Sequence, residues 1–279
     1  MISPSFTPPN IGVVINKVNS NFDYYLPFRQ HAPSLKNARQ KIYSNIDRFT
    51  SDGIGFFNVL AFRGVFFGSP FAKSDRYRWF LSLDDWNHFR AEGIEEATTD
   101  DREEMEYYVI KHCYGRSQKD RSLDLLPGYW NQRNLWGDRF NSSTTPSASE
   151  AYRWLGTREN RKTVFHNIGD LTALLICGDL IEAGLVSMPT AYEWSQLIFS
   201  VGKGAKEGMS MFGLVNEGAS KENFSESFVS LDQALRHSLT EEEKENMGYN
   251  VVMLEHALCK IKRLTSRGIS QEAILSEIQ

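Results

Sequence analysis

Two charged residues stand where the hydrophobic pattern leaves them little water. Asp179 lies in the run 171–183, where Leu171, Leu174, Leu175, Ile176, Leu180 and Ile181 cover most of a helix circumference. A helix apolar on all sides is buried, so a carboxylate on it must be paired, hydrogen-bonded or functional. Thr172 falls on the same side seven residues earlier, and Glu182 follows three residues later. Arg63 poses the same problem with opposite sign, sitting among Val59, Leu60, Phe62, Phe66 and Phe67. Its guanidinium cannot shed a proton and needs an anion nearby. Two readings stay open for it: neutralising a buried acid such as Asp179 or Glu255, or receiving a substrate phosphate. For Asp179 the choice is between a structural ion pair and a catalytic acid.

Other residues suggest contact with phosphate. An Asn167-Ile168-Gly169 turn precedes the Asp179 helix; Gly169 can take the backbone geometry of a sharp turn and Asp170 is a good helix cap. Helix-hairpin-helix modules present amides to a DNA phosphate in this way. Downstream, Gly202, Gly204 and Gly208 alternate with Lys203 and Lys206. The cluster lacks the Gly-Lys-Ser/Thr ending of a P-loop and the preceding strand of a dinucleotide fold. It reads as a helix ended at Gly202, a close backbone approach at Gly204 and a new helix from Ala205, or as a plain interhelical turn. In the helix predicted over 251–263, Val251, Leu254, Leu258 and Ile261 form the apolar stripe. Glu255 lies at its edge, and His256 points toward Lys260 and Arg263.

These residues need elements to hold them, and the pattern predicts a mainly helical protein. Helices are expected over 35–48, 54–67, 102–113, 148–155, 171–183, 190–201, 205–211, 230–238 and 251–263, with a short one near Gln271. Residues 1–10, with Pro4, Pro8 and Pro9, read as an extended arm, and 11–279 as a single helical domain. The Gly-, Pro-, Asn- and Ser-rich stretch 115–149 is a possible loop boundary, although Tyr129, Trp130, Trp136 and Phe140 argue against a mere tether. Between Asp84 and Glu106 ten acids face two arginines, a net −8 that leaves +4 for the rest of a chain of net charge −4. A phosphate-binding surface therefore belongs away from that segment, which reads as an acidic solvated loop. Three separated cysteines, Cys113, Cys177 and Cys259, fit neither a zinc site nor a disulfide framework and point to a reducing compartment. No signal peptide or membrane span is expected, so the location predicted is intracellular: cytoplasm, nucleus or a virus- or phage-infected cell.

Taken in order, Phe62-Arg63, Ile168-Gly169 leading to Gly178-Asp179-Leu180, Gly202-x-Gly204-Ala205 with Gly208, and Leu254-Glu255-His256-Ala257-Leu258-Cys259 resemble the alpha-glutamyl/putrescinyl thymine pyrophosphorylases. The resemblance covers mainly 56–67 and 165–263. It implies a helix-hairpin-helix DNA glycosylase-like core and a partner DNA carrying hypermodified thymine. The reaction implied replaces the pyrophosphate of a pyrophosphorylated 5-hydroxymethyl pyrimidine by an amine, from an amino acid or a polyamine, with no metal or cofactor. Arg63, Lys203 and the amides around Gly204 would stabilise the leaving group. Asp179 or Glu255 would position or deprotonate the amine. Gly169, Gly202, Lys206 and His256 complete the substrate-binding set, and Tyr129, Trp130 or Trp136 would stack on an extruded base. Two positions depart from the family pattern: Lys203 stands where a proline commonly lies, and Lys260 where an acid follows the Leu-Cys pair.

Two other classes fit parts of the chain. A helical nucleic-acid-coating protein, nucleoprotein-like and without chemistry, accounts for the helices, glycines and aromatics, with Lys260 as a further basic contact. A helix-hairpin-helix DNA glycosylase would use Asp179 as its catalytic acid.

Overall fold

The computed structural model describes residues 19, 26, 28–44, 49, 52–93, 104–114, 118–140, 145–159, 162–201 and 203–266, with side chains described to 261. The expected extended arm 1–10, the helix near Gln271, Gly202, the side chain of Arg263 and much of the acidic segment lie outside them. The protein is mainly helical, with one two-stranded hairpin among the described residues. It divides into two compact units, one of Pro33–Met188 and one of Met1–Ala32 with Pro189–Gln279.

The unit Pro33–Met188 opens with α1 (Pro33–Ala38), which continues as a π-helical segment, Arg39–Tyr43. The apolar run expected to be a buried helix forms α2 (Ile54–Ala61), which also widens into a π-helical segment, Phe62–Phe66. Apart from Ile54, every residue of α2 and this segment is buried. Asn58, the polar residue in the run, is satisfied by the backbone of Phe80: its Nδ2 donates to the carbonyl at 2.9 Å and its Oδ1 accepts from the amide at 3.0 Å. Short helices α3 (Pro70–Lys73), α4 (Leu83–Ala91) and α5 (Glu104–Tyr108) enclose an aromatic core. There Phe66, Phe71, Phe80 and Trp86 meet with ring centroids 5.1–6.4 Å apart. The segment expected to be helical over 102–113 is described as helix only to Tyr108.

The start of the acidic segment is helix rather than loop. Ser82 caps α4 by accepting from the Asp85 amide at 3.0 Å, and Asp84 and Asp85 occupy its first turn, where acids complement the helix dipole. The stretch 115–149 lies wholly within this unit and contributes α6 (Leu126–Asn131) and α7 (Leu135–Phe140). Its aromatics are largely core. Tyr129 and Trp136 are fully buried, which removes them as surfaces for a stacked base, and Trp130 packs edge-on against Phe57 under Arg133. Helix α8 (Ala148–Leu155) begins with a capping box, Ser147 and Glu150, and packs on α9 (Asp170–Glu182). The hairpin of β1 (Arg158–Glu159) and β2 (Lys162–Thr163) lies between these two helices in sequence. Two expectations about the turn before α9 need correction. The left-handed conformation falls on Asn167 (φ 62°), whereas Gly169 is extended; Gly169 is the cap residue, and Asp170 is the first helical residue. An amide side chain tolerates that backbone region, which leaves the glycine free to cap.

In the second unit α10 (Ala191–Val201) packs on α12 (Lys221–Ser238), and α11 (Lys203–Met211) packs on α14 (Val251–Ser266). Helix α12 is twice the expected length. Its first half was illegible because only Phe224 and Phe228 mark the buried side of an otherwise polar turn. Helix α13 (Glu241–Met247) has a second capping box, Thr240 with Glu243, and ends at Gly248 in the left-handed conformation (φ 58°). Helix α11 starts at Lys203, so Gly204 and Gly208 lie inside it, four residues apart and turned toward α14. A Cβ added at Gly208 would stand 2.5 Å from the Leu258 carbonyl oxygen, and one at Gly204 would stand 2.5 Å from Cys259 Sγ. The close approach foreseen at Gly204 is thus made by another helix. Among the described residues, no helix is long and apolar enough to cross a membrane.

Gly208→Ala should destabilise this unit by roughly 1–3 kcal/mol, the cost of overpacking against backbone that cannot rotate away. Gly204→Ala should cost less, because the cysteine side chain can turn. Urea denaturation midpoints of the two variants would show this order.

Candidate functional site

Helix α9 sets the geometry. Its apolar circumference buries it, and its last two turns carry Asp179 and Glu182, three residues apart and therefore neighbours on one face. The chain is then turned away by a Schellman ending: Gly184 takes φ 77°, its amide donates to the Ile181 carbonyl at 3.0 Å, and the Leu185 amide donates to that of Leu180 at 2.9 Å.

Asp179 accepts from Arg63 and Tyr43. Arg63 Nε donates to Oδ2 at 2.5 Å and Nη2 to Oδ1 at 2.6 Å, a fork on both carboxylate oxygens, and the Tyr43 hydroxyl donates to Oδ2 at 2.7 Å. The pair is sealed: the arginine and aspartate side chains are 2% and 0% exposed. The rings of Phe62 and Phe67 lie 5.3 and 4.5 Å from the guanidinium carbon. Of the two readings open for Arg63, the structure shows the first, with Asp179 as the acid; Glu255 belongs to the other unit.

Both π-helical segments feed this cluster, one through Tyr43 and the other through Arg63. A π turn widens the helix and leaves carbonyls for other partners. The Tyr114 hydroxyl donates to the Arg63 carbonyl at 2.9 Å, and Arg121 donates to those of Val65 at 2.8 Å and Phe67 at 3.1 Å. Arg121 also contacts Cys113 Sγ. Burial pushes the Tyr77, Tyr114 and Cys113 acidities weaker than usual, partly offset by the arginines. Arg121 and Tyr114 escaped the sequence reading because they sit in irregular segments where periodicity carries no signal. Tyr43 had one, falling four residues after Arg39 on the helix that packs here.

Outside the sealed pair a pocket of about 280 Å³ opens, lined by Leu35, Arg39, Tyr43, Ser44, Asp179, Glu182 and Ala183. Within this lining Arg39 is bonded to Glu182, with side chains 32% and 8% exposed. The pocket is thus lined by a partly exposed cation, Arg39, and by two largely buried carboxylates, Glu182 and Asp179, the second already held by Arg63.

The remaining expected site residues are distributed as follows. Gly169 caps α9 with open space around it, but the half-exposed Asp170 carboxylate, held by Arg158 at 3.1 Å, occupies that helix start. An anion arriving there would meet it. Lys203, Gly204 and Lys206 lie on α11, and Glu255 and His256 on α14, all in the second unit. Glu255 is buried and accepts from Cys259 Sγ at 3.0 Å; His256 is half-buried. Lys260 is 3% exposed, which corrects its reading as a basic surface contact. A buried acid that patterning missed, Asp232, is held by Arg236 at 2.8 Å and the Tyr249 hydroxyl at 2.9 Å. Among the described residues no cluster of histidine, cysteine and carboxylate groups is arranged to hold a metal ion.

Removing one partner of the sealed pair should be far worse than removing both. Arg63→Met or Asp179→Leu alone is expected to lose roughly 3–5 kcal/mol, and the double variant to recover most of it, in a double-mutant cycle of chemical denaturation. Stability should also fall as pH rises above 10. Tyr77 and Tyr114 titrate higher in the folded protein than their ordinary 10.0, so the unfolded chain loses its protons first and is favoured. Tyrosinate absorbance against pH, with urea midpoints on either side of 10, would reveal the coupling.

In comparison with known proteins, the chain matches no family model, no curated protein and no solved structure.

Proposed function

We propose that the protein is a DNA-modifying transferase, replacing the pyrophosphate of a pyrophosphorylated 5-hydroxymethyl pyrimidine with an amine. The observation that carries this is the pocket above Asp179. The ion pair in its lining, Arg39 and Glu182, matches the two charges of an amino acid, and its volume of about 280 Å³ suits a ligand of that size. The donor's carboxylate replaces Glu182 on Arg39, and its ammonium replaces Arg39 on Glu182. Tyr43, whose proton is committed to Asp179, offers an oxygen lone pair to the same ammonium.

In the reaction the ammonium gives a proton to Glu182, and the freed amine nitrogen forms a bond to the methylene carbon. The carbon–oxygen bond breaks and pyrophosphate leaves with its electron pair. Asp179 does not act as the base here. Its two oxygens are held by Arg63, and it orients Tyr43 instead. The same fork argues against the glycosylase reading, which needs an aspartate turned to the substrate.

The test is nucleoside mass spectrometry of DNA carrying the pyrophosphorylated base, incubated with the protein and isotope-labelled amino acids or putrescine. A labelled, aminated nucleoside is expected. Arg39→Met should raise KM for amino acid donors roughly 10–100-fold, the worth of one charge-assisted hydrogen bond, and leave putrescine largely unaffected. Unchanged nucleosides with every donor would overturn the proposal.

A further inference from the structure

The second unit has its own groove, distinct from the pocket above Asp179. It is larger, about 660 Å³, and is bounded by the end of α10, by α11, and by the loop that leads into α12. Its apolar surface comes from Phe199, Met211, Val215 and Phe224, with the two phenylalanine rings 5.6 Å apart. One corner is cationic. Lys206 Nζ stands 4.3 Å from the centre of the Phe199 ring and donates to the Phe199 carbonyl at 3.3 Å. The contact holds the ammonium over the aromatic floor and leaves two of its three protons for another acceptor. Lys203, exposed and one helical turn earlier, lines the same groove.

The structure assigns this groove to a small aromatic anion: a planar ring laid on the Phe199 side, its phosphate or carboxylate taken by Lys206 and Lys203. A concave, mostly apolar site with a few converging polar groups is the usual form of a small-molecule pocket, and this volume lies within its range. Glu207 and Glu217 also line the groove. They confine negative charge to the lysine corner, so the geometry selects one localised anionic group and disfavours the extended polyanion of a nucleic-acid backbone. The assignment does not depend on the amine-transfer reading, which concerns the other unit.

Isothermal titration calorimetry of the full chain tests it with four probes: thymidine monophosphate, benzoate, neutral thymidine and inorganic phosphate. At least one of the two aromatic anions should bind, and more tightly than both neutral thymidine and phosphate; whichever binds better identifies the anionic group. Lys206→Met should weaken that binding roughly tenfold, and Lys203→Met several-fold. Because Lys203 is exposed, its variant keeps the test decisive if Lys206→Met disturbs folding. Glu217→Gln should tighten binding. The assignment fails if neither aromatic anion binds at millimolar concentration, if thymidine binds as well as its monophosphate and benzoate does not bind, or if both lysine variants bind like wild type. Displacement of the bound anion by a single-stranded oligonucleotide at lower concentration would also overturn it, in favour of a nucleic-acid groove.

Discussion

Much of the unit Pro33–Met188 depends on one interaction, the forked contact between Arg63 and Asp179. Two full charges in a dry interior are tolerable only if their hydrogen-bonding capacity is filled with good geometry. Here both carboxylate oxygens are engaged and the guanidinium is flanked by two phenylalanine rings. Such a fork has a fixed direction. It therefore sets the register of α9 against the end of α2 in a way that apolar packing alone would leave loose. The widened backbone around Arg63 belongs to the same arrangement, because its carbonyls are taken by Tyr114 and Arg121 rather than by the next helical turn.

A second arginine–carboxylate pair has a different character because of where it sits. Arg39 and Glu182 line a pocket, Glu182 one helical turn beyond Asp179, and the arginine keeps about a third of its side chain in water. The guanidinium of this pair is already partly solvated, so moving it from Glu182 to a ligand's carboxylate costs less than moving a sealed one. Exchange of the inner pair would strand a buried charge. Burial thus separates two chemically alike pairs, one sealed on both sides and one whose arginine remains open to solvent.

The glycines of α11 show how one sequence feature can serve two physical demands. Gly-x-x-x-Gly spacing gives a backbone that a phosphate could approach, and it equally gives a helix face that another helix can approach. The atoms found against Gly204 and Gly208 are Cys259 Sγ and the Leu258 carbonyl of α14. Lys203 and Lys206, beside and between these glycines, face elsewhere and line a groove with an aromatic floor.

The amino-acid sequence by itself determined the helical class, most helix positions, and the two residues that could not be left alone in a core, Arg63 and Asp179. It did so because burial follows from periodicity, and a charge inside an apolar period must have a partner. Only the tertiary structure decided which partner it was, since Arg63 and Asp179 are 116 positions apart and either of two acids would have served. It also decided that Tyr43 joins them, that Tyr129 and Trp136 are core rather than stacking surfaces, and that the left-handed residue before α9 is Asn167 rather than Gly169. These outcomes turn on angles and distances between segments remote in sequence, and local composition carries no record of them.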